Sequence, residues 1–169
     1  MLITEKTGNL NSFKINNRTI DWLPVEWFEA RKRILTKQTK WGKNISIKFL
    51  NENPELTQGD VLFADEQSII AVEILSCNCI VIHPKTMFEM ASVCYEIGNK
   101  HLPLFFEDNA VLVPYEEPLF KLLSVQGYIV KQEERKLLTS LKTSVSPHAA
   151  NSGGETLFSK IMKLKSSTL

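Results

Sequence analysis

Apolar residues in the first half of the chain recur with a period of two. Phe13-Lys14-Ile15 and Ile20-Asp21-Trp22 alternate on either side of Asn16-Asn17, a turn signal. Ile45, Ile47 and Phe49 alternate with Ser46 and Lys48, and this run follows Arg31 to Lys40 across Trp41-Gly42-Lys43-Asn44. That spacing predicts a hairpin with one buried face. After Gly59-Asp60, the runs Val61-Leu62-Phe63 and Ile69 to Ile74 flank the polar break Asp65-Glu66-Gln67-Ser68 and predict two more strands. Trp22, Trp27 and Trp41 all fall in this half, which predicts an N-terminal all-β domain over residues 1–75 with a core of its own.

Near Leu75-Ser76 the period changes. Cys77 to His83 reads as a strand stopped by Pro84, and Thr86 with Glu89 three residues later is a capping box opening a helix. Met87, Met90, Ala91, Cys94 and Ile97 recur at helical spacing, and Gly98 is the expected stop. Leu104 to Glu107 and Ala110 to Val113 flank Asp108-Asn109 as a tight hairpin. Glu116, Glu117 and Pro118 open a second helix with Leu119, Leu122 and Leu123 as its stripe and Gly127 at its end; Tyr128 to Lys131 supplies a last strand. The order βαββαβ predicts a ferredoxin-like domain over 76–138, so the fold class is α+β. From 139 to 169 the chain turns to Ser, Thr, Pro, Asn and Gly around His148, the composition of a flexible tail, with one short amphipathic segment at Leu157, Phe158, Ile161 and Met162.

Composition narrows the function classes. The chain has 169 residues, 43% hydrophobic and 23% charged, which excludes wholesale disorder. A net charge of +1 argues against a protein that neutralises phosphates. Three cysteines leave at least one thiol unpaired and fit a reducing, cytoplasmic setting. Met1 to Leu10 lacks the apolar centre of a signal peptide, and no stretch has the length of a membrane span, so no membrane partner is expected.

Only three histidines compete for a ligand role. His101 lies three residues past Gly98 in a helix exit, where an imidazole is accessible. His83 ends a strand and reads as an edge cap. His148 follows Pro147 in the tail and, taken alone, reads as a solvated bystander. Cys77 and Cys79 point to one face of a strand and offer two thiols to a soft metal, but burial as small hydrophobes in a central strand is the favoured reading. Cys94 falls on the apolar helical stripe. No nucleophile elbow, zinc-protease, P-loop or dinucleotide motif is present, so no catalytic and no cofactor-binding residue is assigned, and a metal-dependent hydrolase would lack a placed acid or base. Arg31 to Lys48 holds seven cations and no acid. It reads as a solvated hairpin face before it reads as a dock for an acidic partner. A single-stranded RNA-binding module is the other class open to a ferredoxin-like domain, but its basic–Gly–aromatic strand signature is missing, and no nucleic-acid partner is expected.

The segment Tyr95-Glu96-Ile97-Gly98-Asn99-Lys100-His101 resembles the Gly-Asn-Arg-His segment of the UreE family of urease metallochaperones, with Lys100 in place of the usual arginine. Trp27-Phe28-Glu29-Ala30-Arg31-Lys32, Gln58-Gly59-Asp60 and Pro147-His148 stand where shorter-tailed members have similar residues. The resemblance implies an N-terminal domain that holds partner proteins and a ferredoxin-like domain through which two chains associate. It places the metal ligand on His101 and the second, tail-borne ligand on His148. It implies Ni(II) as cargo, with Zn(II) or Cu(II) as competitors. The implied partners are a second copy, with higher oligomers through the metal, the urease accessory GTPase and the apo-urease activation complex. Many members end in a histidine-rich tract; here His148 is the only histidine after His101, which favours carriage of about one ion per dimer over storage.

Overall fold

The computed structural model describes residues 1–50 and 55–141. The first half is all β: β1 (Leu2–Ile3), β2 (Gly8–Asn9), β3 (Thr19–Val25), β4 (Ile34–Gln38), β5 (Asn44–Lys48), β6 (Asp60–Ala64) and β7 (Ser68–Ile74). These form two sheets, ordered β1-β5-β4 and β2-β6-β7-β3. The expected hairpin is β4–β5, in register from Ile34↔Lys48 to Gln38↔Asn44, with Gly42 at φ 87 in its loop. Ile45, Ile47 and Phe49 enter a core with Leu23, Val25, Ile70, Val72 and Ile74. The carboxyl of Asp21, fully buried on β3, accepts from the Trp41 backbone N–H at 3.1 Å and so anchors the hairpin tip.

One expectation for this half changes. Phe13-Lys14-Ile15 is not a strand; the short strand lies earlier, at Gly8–Asn9. Phe13 and Ile15 instead cover Val61, Ile69 and Ala71 on the outer face of the larger sheet, which explains their alternation without any strand pairing. The three tryptophans take different places. Trp22 packs on that outer face, Trp27 packs against the inner core, and Trp41 is exposed at the hairpin tip.

The second half comprises β8 (Ser76–Ile82), α1 (Met87–Asn99), β9 (Phe105–Glu107), β10 (Ala110–Pro114), α2 (Glu117–Val125), β11 (Val130–Lys136) and β12 (Thr139–Ser140). Its antiparallel sheet has the order β11-β8-β10-β9-β12. Without β12 this is the ferredoxin-like order fourth-first-third-second. Alternation along β8 builds two cores. Ile80 and Ile82 meet Val93 and Ile97 of α1 and Leu119 and Leu123 of α2. Cys79 and Val81 face the other way, toward Phe105, Ala110, Leu112 and Leu137. Trp27 packs against this second face as well as the N-terminal core, edge-on to Phe105 with ring centroids 5.8 Å apart.

The Thr86 half of the expected capping box is present, while the Glu89 carboxylate reaches one residue past the N-cap, to Lys85. Thr86 Oγ1 accepts from Glu89 N at 3.1 Å, and the Glu89 carboxylate accepts from Lys85 N at 2.7 Å. Gly127, at φ 84, follows α2 as expected, and Asp108, at φ 51, turns the β9–β10 hairpin. Other details shift. The buried stripe of α1 is Val93 and Ile97 with Met90 and Cys94 beside them, whereas Met87 and Ala91 are exposed. The last strand of the domain starts at Val130 rather than Tyr128, whose ring packs against the helix-side core. Thr139 and Ser140, assigned to the tail from composition, pair with Phe106 and Phe105 of β9. Among the described residues no helix is long and apolar enough to cross a membrane.

Candidate metal centre

His101 is set by the way α1 ends. Gly98 is not the stop; it lies inside the helix, and Asn99 is the last helical residue. The left-handed residue is His101 itself, at φ 56. His101 N donates to Gly98 O at 3.0 Å, Leu102 N donates to Ile97 O at 3.4 Å, and Leu102 packs into the core that contains Ile97. This is a Schellman closure with histidine where glycine is usual. Left-handed backbone is uncommon for residues with a side chain, although histidine is several-fold enriched there. Because the backbone satisfies the end of the helix, the imidazole has no structural task. It is exposed and makes no hydrogen bond to a described residue. Beside it Lys100 pairs with Glu96 at 3.6 Å.

One imidazole is not a metal site. Among the described residues no group of three His, Cys, Asp or Glu side chains converges to hold an ion. What adjoins His101 is an apolar face. Met87, Phe88 and Tyr95 on α1 are 84%, 80% and 72% exposed, and with Ala91 they form a stripe opposite the buried one. Residues three, four, seven and eight positions apart share one side of a helix, as Met87 and Phe88 each do with Ala91 and Tyr95. Gly98 continues the stripe toward His101, and a Cβ added there would meet nothing within 4 Å. Sequence reasoning missed this face. Its signal was an α1 sequence apolar on more than one side, a pattern that a helix covering one sheet does not need.

The tail departs close by. Beyond β12, Leu141 N donates to Leu104 O at 2.8 Å, three residues from His101. His148 itself lies outside the described residues.

The remaining candidates disperse. His83 is exposed just past β8, where its backbone N–H donates to Ile129 O at 3.0 Å; it ends an interior strand of the sheet rather than capping an edge. It borders a shallow pocket of about 220 Å³ with Glu107, Asp108 and Arg135, but Arg135 already bonds Glu107 at 3.1 Å and Glu133 at 2.9 Å. Cys79 is fully buried and Cys77 partly so. Burial pushes both thiols up, Cys79 to about 12. Cys94 packs near Met90, its thiol also raised by burial. In the basic stretch Arg31 pairs with Glu55, Lys32 and Lys37 with Glu29, and Lys40 with Glu73. Acids from outside the stretch thus pair with four of its cations.

Comparison with known proteins adds the context. Residues 3–75 match the family described as UreE urease accessory protein, N-terminal domain, and residues 77–153 match UreE urease accessory protein, C-terminal domain. A protein of Flavobacterium johnsoniae named Urease accessory protein UreE is 47% identical over 164 residues, covering 97% of this chain and 99% of its own. Proteins of the same name from Actinobacillus pleuropneumoniae and Acetivibrio thermocellus are 41% and 35% identical, over 79% and 83% of this chain and 71% and 92% of theirs.

Proposed function

Because the chain belongs to the UreE family of urease accessory proteins and so serves urease maturation, we propose that it is the nickel carrier of that process. In this reading two copies associate through the apolar face of α1, and the two-fold axis brings two His101 imidazoles to one Ni(II). The observation that carries it is the pairing of an unpartnered apolar helix face with an imidazole fixed at the end of that helix and free of structural duties. An isologous interface supplies two nitrogens from one residue. His148 adds a third or fourth: it stands seven residues along the chain from Leu141, whose backbone is bonded to Leu104 just past His101, and a fully extended chain of seven residues spans at most about 25 Å.

Imidazole donors suit nickel but also zinc and copper, so Zn(II) and Cu(II) compete, and selection rests on geometry and on the recipient. Residues 76–138 form the metal and dimer unit, residues 139–169 contribute the removable ligand, and residues 1–75 meet partners. The recipient is the accessory GTPase, which passes the ion to the apo-urease activation complex in the cytoplasm. The chain acts as a carrier and not as an enzyme. Losing the tail ligand lowers the coordination number without dismantling the dimer, which gives a route for release.

The test is calorimetric titration with Ni(II), with oligomeric state measured on the same sample. About half an ion per chain in a dimer is expected. His101→Ala should abolish the tight phase, and His148→Ala should weaken it while leaving the dimer intact. Unchanged affinity in His101→Ala removes the assignment. Only neutral imidazole ligates, so affinity should fall on acidification; a flat response would count against histidine ligation.

A further inference from the structure

Cys77 and Cys79 take no part in the nickel reading, yet they bring two soft metal-ligating atoms within 3.5 Å of each other. They lie on β8, which is flanked by β11 and β10; Cys77 faces Arg135, and Cys79 faces Glu133 on one side and Pro114 on the other. The period of the strand puts both side chains on the face away from the helices, and their sulfurs are 3.5 Å apart. Cys79 is fully buried, Cys77 is partly open to solvent, and Cys77 and Trp27 both pack against the cluster that contains Cys79.

This geometry disfavours a disulfide. Residues two apart on a strand have Cα atoms about 6.7 Å apart, near the upper limit for a disulfide, whose sulfurs must also close to about 2.05 Å. Shortening that span would buckle a strand paired along both edges. An ion held by both sulfurs asks only for rotation of the two side chains. The donor set then selects the ion. Two sulfurs with no third ligand group among the described residues leave zinc and nickel under-coordinated, whereas soft ions favour thiolate sulfur.

We propose that Cys77 and Cys79 form a two-coordinate site for a soft monovalent ion of the copper(I) class, separate from His101. On binding, two S–H bonds break, two metal–sulfur bonds form, two protons pass to solvent, and no oxidation state changes. Burial keeps both thiols protonated in the absence of metal, so only a strongly thiophilic ion displaces the protons and divalent nickel does not.

The probe is silver(I), added as nitrate to the reduced full-length protein in chloride-free buffer under argon. One tight silver ion per chain is expected by native mass spectrometry, with two protons released per ion and sulfur-to-metal absorption in the ultraviolet. Cys94→Ser and His101→Ala should bind silver as the wild type does. Cys77→Ser changes a partly buried side chain and is expected to keep the far-ultraviolet circular dichroism of the wild type while losing at least 100-fold in silver affinity. Wild-type affinity in folded Cys77→Ser, or loss of the tight ion in Cys94→Ser or His101→Ala, would overturn the site.

Discussion

At the scale of single residues, the backbone of His101 closes the helix and leaves the imidazole to its proposed role as a ligand. Its left-handed conformation is natural to glycine and restrictive for other residues. His101→Gly should therefore leave thermal stability unchanged or raise it by up to about 1 kcal/mol, while metal binding is lost; calorimetric melting and nickel titration of the same variant check both halves. A structural histidine would show the opposite, a lower melting temperature. Sequence reasoning singled out the residue but not this conformation, because it placed the stop at Gly98. The stop is set by Leu102 folding back over Ile97, a contact between residues five apart that counting glycines does not reveal. Glu29 carries a second residue-scale prediction. Burial raises its carboxyl, but the hydrogen bond from Lys37, the backbone N–H of Glu26 and the charges of Lys37 and Lys32 together hold it below the usual 4.5. A carboxyl depressed in the folded state contributes stability that is present above its unfolded value and lost as pH falls through the folded one. Wild type should thus lose more urea stability between pH 6 and pH 3 than Glu29→Gln; equal losses would contradict the assignment.

At the scale of elements, α1 carries two apolar faces with different fates. Its buried stripe holds the helix on the sheet through Val93 and Ile97, and its outer stripe of Met87, Phe88, Ala91 and Tyr95 meets solvent. Phe88→Asp should leave the folded monomer intact but dissociate the proposed dimer, seen as a halved mass in sedimentation equilibrium. Thr86→Ala acts on the other property of the helix. It removes the N-cap bond to Glu89 N and should cost about 1 kcal/mol of folding free energy by urea denaturation. The elements themselves were legible: strands, helices and turns appear close to the order their patterns predict, because period and capping are local signals. Which residues of α1 are buried was not legible, since an apolar residue reads the same whether a sheet or a second molecule covers it. The strand at Thr139–Ser140 was hidden for a related reason. Its pairing with β9 is a tertiary event, and composition alone reads those residues as tail.

At the scale of the molecule, Trp27 ties the halves together. It packs against both the N-terminal core and the far face of the second sheet, with Phe105 edge-on. Trp27→Ala should convert one cooperative unfolding transition into two in scanning calorimetry, with the ferredoxin-like unit keeping its own heat absorption; a single, merely lowered transition would show that the halves are coupled elsewhere. The glycine in the last turn of α1 has a consequence that only appears when a second molecule is considered. Glycine in a helix is less stable than alanine by up to about 1 kcal/mol, and within one chain nothing compensates, since a methyl group at Gly98 would touch nothing. The isolated chain therefore carries a weaker helix than it needs, at the point where, in the proposed dimer, a neighbouring backbone would approach beside His101. Gly98→Ala should make the monomer harder to melt and the pair easier to separate, an opposition between folding and association that a dilution series of melting curves would read out directly.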